Sequence, residues 1–201
     1  MKKFITVSLG TALLLLASCS NDEPQINNET TNFVSKADFD NKAVNKMWIV
    51  DDAKTVMSDG TEFNVTVYKY YSGNTGLNDA IYITPDKATN FWTTSMYYIY
   101  NERFVRKAYS YSYVETSGEF RLVDEGNDKP LMILKKVSDS EMIAYKDFGI
   151  VPKNFDPEKC DNNPEYFDTS NLDEGSYTKV ILRPATDEET QELWNTYVEV
   201  E

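Results

Sequence analysis

The side chains best suited to holding another molecule are aromatic, and they crowd two neighbouring segments. Phe91, Trp92, Met96, Tyr97, Tyr98 and Tyr100 lie in the first, and Tyr109, Tyr111 and Tyr113 recur at every second position of the second. A period of two puts Val105, Tyr109, Tyr111 and Tyr113 on one face of a strand and Ala108, Ser110 and Ser112 on the other. Tyrosine and tryptophan rings can stack on the apolar face of a sugar or a small apolar molecule while their polar tips form hydrogen bonds. Trp92, Tyr98, Tyr109, Tyr111 and Tyr113 are therefore the candidate ligand-binding residues. Cross-strand packing is the competing use of the same rings. Direction decides between them: tyrosines turned inward fill a barrel, whereas tyrosines turned outward form a platform and leave the small residues to line a cavity.

Oxygen ligands are the second candidate chemistry. The stretch Gly149–Ser176 shows no strand alternation and carries Asp156, Glu158, Asp161, Asn162, Asn163, Glu165, Asp168, Asp173 and Glu174. Long loops of this kind tend to be functional or disordered, and clustered carboxylate and amide oxygens are the donors that calcium takes. Their spacing fits no EF-hand loop, and a solvated acidic loop is the simpler expectation.

Catalysis has less to build on. The chain holds no histidine, which removes the commonest general base and every Ser-His or Cys-His nucleophile arrangement. Carboxylate pairs are numerous among 33 acidic residues, yet no glycine-rich phosphate loop, G-x-S-x-G or H-E-x-x-H motif marks any of them. Cys160 has no imidazole to activate it, and its neighbours Glu158 and Asp161 would hold its thiol protonated. Cys160 reads as a packed or tolerated residue. No catalytic residue and no metal ligand is assigned, and an unrecognised hydrolase is the third reading of function.

The N-terminus gives an address. Lys2 and Lys3 precede an uncharged, mostly apolar run from Phe4 to Ala17, and small residues follow before Cys19. That is the layout of a secretory signal with its cleavage site. The run is shorter than the roughly 20 apolar residues needed to cross a bilayer. Leu16-Ala17-Ser18-Cys19 resembles the lipobox of bacterial lipoproteins. The resemblance implies cleavage before Cys19, acylation of its thiol and a mature chain held to a membrane by lipid. Each buried methylene contributes about 0.8 kcal/mol, and the several chains carried by such proteins make a firm anchor where one would not. An ordinary secreted protein with an incidental Cys19 is the plainer alternative.

Ser20-Asn21-Asp22-Glu23 follow directly. They resemble the short acidic export signal that sends lipoproteins of certain Gram-negative bacteria to the outer face of the outer membrane. A periplasm-facing anchor is the other expectation, with residues 19–36 acting as a polar, acidic tether.

Loss of residues 1–18, with Lys2 and Lys3, takes the net charge from −13 to −15. Such a chain is repelled by phosphate backbones, so nucleic acid is not an expected partner. With Cys19 acylated, Cys160 is the remaining thiol and no disulfide can form within the chain.

The rest, residues 37–201, is long enough for one domain with a sizeable core. From Lys46 it reads as short strands separated by turn residues. Met47–Val56, Thr61–Tyr71, Ala80–Thr84, Asn90–Tyr100, Arg103–Glu115, Glu119–Asp124, Pro130–Val137 and Glu141–Phe148 follow one another, and Tyr177–Arg183 comes after the long break. Near-meander order without intervening helices argues for an antiparallel up-and-down barrel, which removes its own edges, with a β-sandwich as the alternative. Two helices flank the strands. Lys36–Asn45 carries Phe39 and Val44. Thr186-Asp187-Glu188-Glu189 fits a capping box that opens a terminal helix over about 187–198, with Leu193, Trp194 and Tyr197 on one stripe.

A short helix, a tryptophan opening the first strand, a strand meander and a terminal helix together resemble lipocalin-like lipoproteins. The first-strand motif of that family is G-x-W, and Lys46-Met47-Trp48 matches it at the tryptophan with lysine in place of glycine. The resemblance implies that Trp48 packs across a closed end of the barrel and that the cup holds a small molecule. The leading expectation is a non-enzymatic binding lipoprotein for a small apolar or glycan-like ligand. The alternative is an interaction subunit of a cell-surface protein complex.

Overall fold

The structure, a computed structural model, describes residues 33–64, 78–95, 102–122, 130–153, 155 and 170–200. Eight strands form a closed antiparallel barrel: β1 (Lys46–Val56), β3 (Asn78–Ile83), β4 (Lys87–Ser95), β5 (Glu102–Val114), β6 (Glu119–Leu122), β7 (Met132–Val137), β8 (Met142–Lys146) and β11 (Tyr177–Pro184). Each pairs with the next, and β11 closes the circle by pairing with β1 from Trp48↔Pro184 to Val56↔Tyr177. Four short strands lie off the circle: β2 (Glu62–Asn64), the β9 (Val151–Pro152) and β10 (Leu172–Asp173) hairpin, and β12 (Val198–Glu199). The barrel decides against a sandwich.

Period-two alternation sorts the side chains as the sequence requires. Trp48, Ile81, Ile83, Ala88, Phe120, Leu134, Met142, Ala144, Val180 and Leu182 point inward and form the main core. The first helical segment, α1 (Lys36–Asp38), begins on the hydroxyl of Ser35, which accepts from the Asp38 amide. It runs straight into a wider π turn over Phe39–Ala43, where the Val44 amide reaches back to the Phe39 carbonyl at 3.2 Å. Asn45, at φ 60° in the left-handed region that asparagine tolerates, turns the chain into β1. This segment lies across one end of the barrel, here the lower end, and buries Phe39 and Ala43 completely. Trp48, also fully buried, packs on it from inside the barrel, its indole donating to the Ala43 carbonyl.

The terminal helix, α2 (Asp187–Thr196), has the expected capping box, with Thr186 Oγ1 accepting from the Glu189 amide and the Glu189 carboxylate accepting from the Thr186 amide. It packs on the outside of the barrel, where Leu193, Trp194 and Tyr197 cover Met47, Ala80 and Phe91. The chain then departs from expectation. Val198–Glu199 does not prolong the helix but pairs with β5 as a parallel strand, Val198 opposite Val105 and Glu199 opposite Arg106.

That small strand lies on the edge of β5 at Val105–Arg106, and among the described residues β6 meets the same edge at Tyr111–Val114. On the far side, β3 holds the edge of β1 at Lys46–Ile49, while β2 takes the same edge higher up at Lys54–Val56. A bulge between Val50 and Asp52 marks the fork. The lower half is thus a continuous barrel, and in the upper half the described strands fall into two leaves, β3–β4–β5–β12 and β2–β1–β11–β8–β7–β6. The expected second strand, Thr61–Tyr71, is seen over Glu62–Asn64, and its remainder lies outside the described residues.

Candidate functional site

The inner face of the β4–β5 leaf follows from its register. Ala88 stands opposite Tyr109, Asn90 opposite Lys107 and Trp92 opposite Val105. Ala88 belongs to the barrel core, so the whole set faces inward. Phe91 and Arg106, the opposed pair between them, face outward onto α2. The tyrosines therefore turn in and the small residues turn out: Ala108, Ser110 and Ser112 are exposed on the outer surface.

Burial along this face is graded. At the lower end Trp48 and Ala88 are 0 % exposed, and Ile81 and Ile83 are 1 % exposed. Higher up, Trp92, Val105, Lys107 and Tyr109 all retain partial exposure. The opposite leaf is covered instead. Its inward Thr55 and Thr178 are buried, and the β9–β10 hairpin lays Val151 over Ala53 and Met57, with Phe63, Ile150 and Phe155 packed beside them. Among the described residues the fork thus leaves a cleft with a filled floor, a covered wall and a solvent-reached wall.

Two polar side chains, Asn90 and Lys107, face the cleft from the solvent-reached wall. Asn90 is 7 % exposed, and its Oδ1 accepts no hydrogen bond. Such an orphaned acceptor costs free energy unless something else donates to it. Lys107 forms no ion pair among the described residues; its ammonium lies 5.8 Å from the centre of the Tyr109 ring, within cation–π range. Across the barrel Lys146, buried at the top of β8, is paired with the Asp147 carboxylate at 3.4 Å.

The leaf is braced from behind. Phe91 meets Trp194 edge-on at 5.0 Å and Tyr197 at 5.5 Å. The Arg106 guanidinium lies 4.6 Å over Trp194 and donates to its backbone carbonyl at 2.8 Å. The Val200 amide donates to the Arg106 carbonyl. The terminal helix thereby fixes the strands that carry the cleft.

Of the five candidate ligand residues, the structure brings Trp92 and Tyr109 to the cleft. Tyr111 and Tyr113 lie deeper, in the floor. Tyr113 stacks on Phe39 at 4.7 Å and donates to the Val34 carbonyl, while Tyr111 meets Phe39 edge-on and donates to the Thr84 carbonyl at 2.7 Å. Burial pushes the phenol pKa of each up to about 12. Tyr98 lies outside the described residues, as do Cys19, Ser20, Asn21, Asp22, Glu23 and Cys160.

The acidic loop 149–176 is described only at its ends. There Asp173 is engaged with backbone, its Oδ2 accepting from Ser58 at 2.8 Å and its Oδ1 from Gly175 at 3.1 Å. Among the described residues no group of three or more His, Cys, Asp or Glu side chains is placed to hold a metal ion.

Asn90 and Lys107 were missed by a reading that sought aromatic density. Their signal was present: Lys107 occupies the inward position between Val105 and Tyr109, where a strand buried on one face should carry an apolar residue.

No known protein family, no curated protein and no solved structure matches the chain.

Proposed function

We propose that this protein is a lipid-anchored, non-enzymatic binding protein that captures a small molecule in the cleft above the barrel floor. The observation that carries this reading is the buried, unpartnered Oδ1 of Asn90 beside partly exposed Trp92, Lys107 and Tyr109. A core built for stability alone satisfies such a group or replaces it. Small-molecule sites combine apolar and aromatic walls with a few convergent polar groups, and this wall has that composition. The N-terminal run ending in Cys19 and the acidic Ser20–Glu23 segment support display on the outer surface of an outer membrane.

Two measurements test the reading. Native mass spectrometry of the purified mature protein, alongside glycan and lipid arrays, should find a bound small molecule that is lost on Trp92→Ala or Tyr109→Ala. A protein that is empty under all conditions and pulls down one membrane protein partner instead would move the assignment to an interaction subunit. Cells fed a clickable fatty acid should label the native protein and not Cys19→Ala. Label persisting in Cys19→Ala would remove the anchor from the proposal.

A further inference from the structure

Resting on the capture reading above, we infer that the cleft takes a compact hydroxylated carboxylate, an acidic sugar, with Lys107 and Asn90 as its polar anchors. The charge comes first. The chain carries 33 acidic and 20 basic residues, yet the inner face of the β4–β5 leaf presents Lys107, which has no carboxylate partner among the described residues. An ammonium held inside a cleft of an acidic protein selects an anion. It also repels neutral apolar ligands, whose burial would strip its water without replacement.

Asn90 narrows the class. It stands directly opposite Lys107 across β4 and β5, so the two Cβ atoms are about 5 Å apart on the same inner face. Its Oδ1 is an acceptor without a donor. A carboxylate supplies no proton, so an anion alone would satisfy Lys107 and leave Asn90 orphaned. A ligand bearing a hydroxyl beside its carboxylate satisfies both at once.

The walls and floor complete the argument. Trp92 stands beside the pair on the same inner face and is partly exposed, and an indole surface stacks on the C–H face of a pyranose. Below them the barrel is full. Trp48, Phe39 and Ala88 are 0 % exposed, and Ile81 and Ile83 are 1 % exposed, so the described floor holds no well for an acyl chain. A fatty acid would place its carboxylate on Lys107 with nowhere to bury its tail. A ring of sugar size with an acidic substituent needs no such well.

The test uses the soluble mature chain with Cys19→Ser and four probes: methyl glucuronide, methyl glucoside, decanoate and glucose 6-phosphate. Binding is followed by isothermal titration and by the shifts of the tryptophan indole signals. Methyl glucuronide should bind at least tenfold more tightly than methyl glucoside, and added salt should narrow the gap. Lys107→Met should reduce glucuronide to the level of the neutral glucoside, while Lys107→Arg keeps the preference. Asn90→Asp, nearly the same size, should abolish glucuronide binding by placing a carboxylate beside the anchor. Melting temperatures of the variants separate loss of binding from loss of fold.

Equal affinity for glucuronide and glucoside, or glucuronide binding untouched by Lys107→Met, overturns the inference. Decanoate or the sugar phosphate binding through Trp92 while glucuronide does not also overturns it, yet leaves small-molecule capture standing. Failure of every probe, together with an empty protein in native mass spectrometry, removes both.

Discussion

The indole Nε1 of Trp48 donates to the backbone carbonyl of Ala43 at 3.0 Å, so the first strand and the segment that closes the barrel are tied by one buried hydrogen bond. Ala43 ends the π turn, where an unpaired carbonyl would otherwise be buried among Phe39, Ile83 and Leu182. One side chain therefore fills the floor and satisfies the segment that closes the barrel below it.

Trp48→Phe tests the two roles together. Phenylalanine keeps an aromatic ring but removes the donor, leaving the Ala43 carbonyl unsatisfied, and it vacates part of the indole volume. The expected loss is about 2–4 kcal/mol of unfolding free energy, read from urea denaturation. Trp92→Phe, at a partly exposed position, should cost under about 1 kcal/mol by the same measurement. Equal costs at the two sites would contradict the assignment of Trp48 to structure and Trp92 to the cleft.

Helix α2 should loosen in acid. Arg183 grips Glu189 with both terminal nitrogens, at 2.6 and 2.9 Å, and the Thr186 amide donates to the same carboxylate. These bonds, the Arg183 contact foremost, lower the Glu189 pKa from 4.5 to about 2. A depressed carboxylate pKa means that the unfolded chain binds the proton first. The contribution of Glu189 is present above pH 4.5 and fades as pH falls towards 2. The difference in melting temperature between wild type and Glu189→Gln should shrink across that window. A constant difference from pH 6 to pH 2 would show that the carboxylate charge has no part in docking the helix.

Alkali probes the floor. Tyr111 and Tyr113 hold their protons to about 12 because burial disfavours the phenolate, with nearby carboxylates adding to the effect: Asp40 and Asp86 for Tyr111, and Glu115, Asp38 and Asp40 for Tyr113. A raised phenol pKa favours the folded state below the ordinary value of 10, and this contribution is lost as pH rises from 10 towards 12. Tyrosinate absorbance at 295 nm should therefore include late-titrating contributions from Tyr111 and Tyr113 in the folded protein. Tyr111→Phe and Tyr113→Phe should each remove one of them. A single titration near pH 10 for every tyrosine would mean that the floor is open to water.

Much of this architecture was legible in the chain because it rests on local rules. Alternation in Arg103–Glu115 and the turn at Ser117-Gly118 set β5 and β6, and the reciprocal bonds of Thr186 and Glu189 set the start of α2. The extra edge strand on β5 was not legible. It consists of Val198–Glu199, two residues whose parallel pairing with β5 is a contact across more than ninety positions and leaves no periodic mark. The facing of the tyrosines was open as well, since Tyr/Ser alternation is symmetric about the sheet. Packing of Phe39 onto Tyr111 and Tyr113 settles it. Lys107 was hidden for a related reason, because an inward lysine breaks the pattern used to read the strand.

The covered wall of the cleft offers a last prediction, at Gly175. A Cβ placed on this residue would lie 2.7 Å from Cβ of Ser58, closer than side-chain carbons approach. The crowding follows from Asp173, whose two oxygens accept from the amides of Ser58 and Gly175 and draw the β9–β10 hairpin onto the turn after β1. Alanine at 175 must push the two segments apart, stretching the Ser58 bond and lifting Val151 from Ala53 and Met57. Overpacking of this kind typically costs about 1–3 kcal/mol, which for a domain of this size lowers the melting temperature by roughly 2–10 °C. Hydrogen exchange should quicken at the Val151 and Ser176 amides, which donate to the Ser176 hydroxyl and the Asp173 carbonyl. The Asn90–Lys107 wall, across the cleft and braced by α2, should keep its protection. An unchanged melting temperature, or exchange that quickens on both walls alike, would show that the hairpin is not an independent seal.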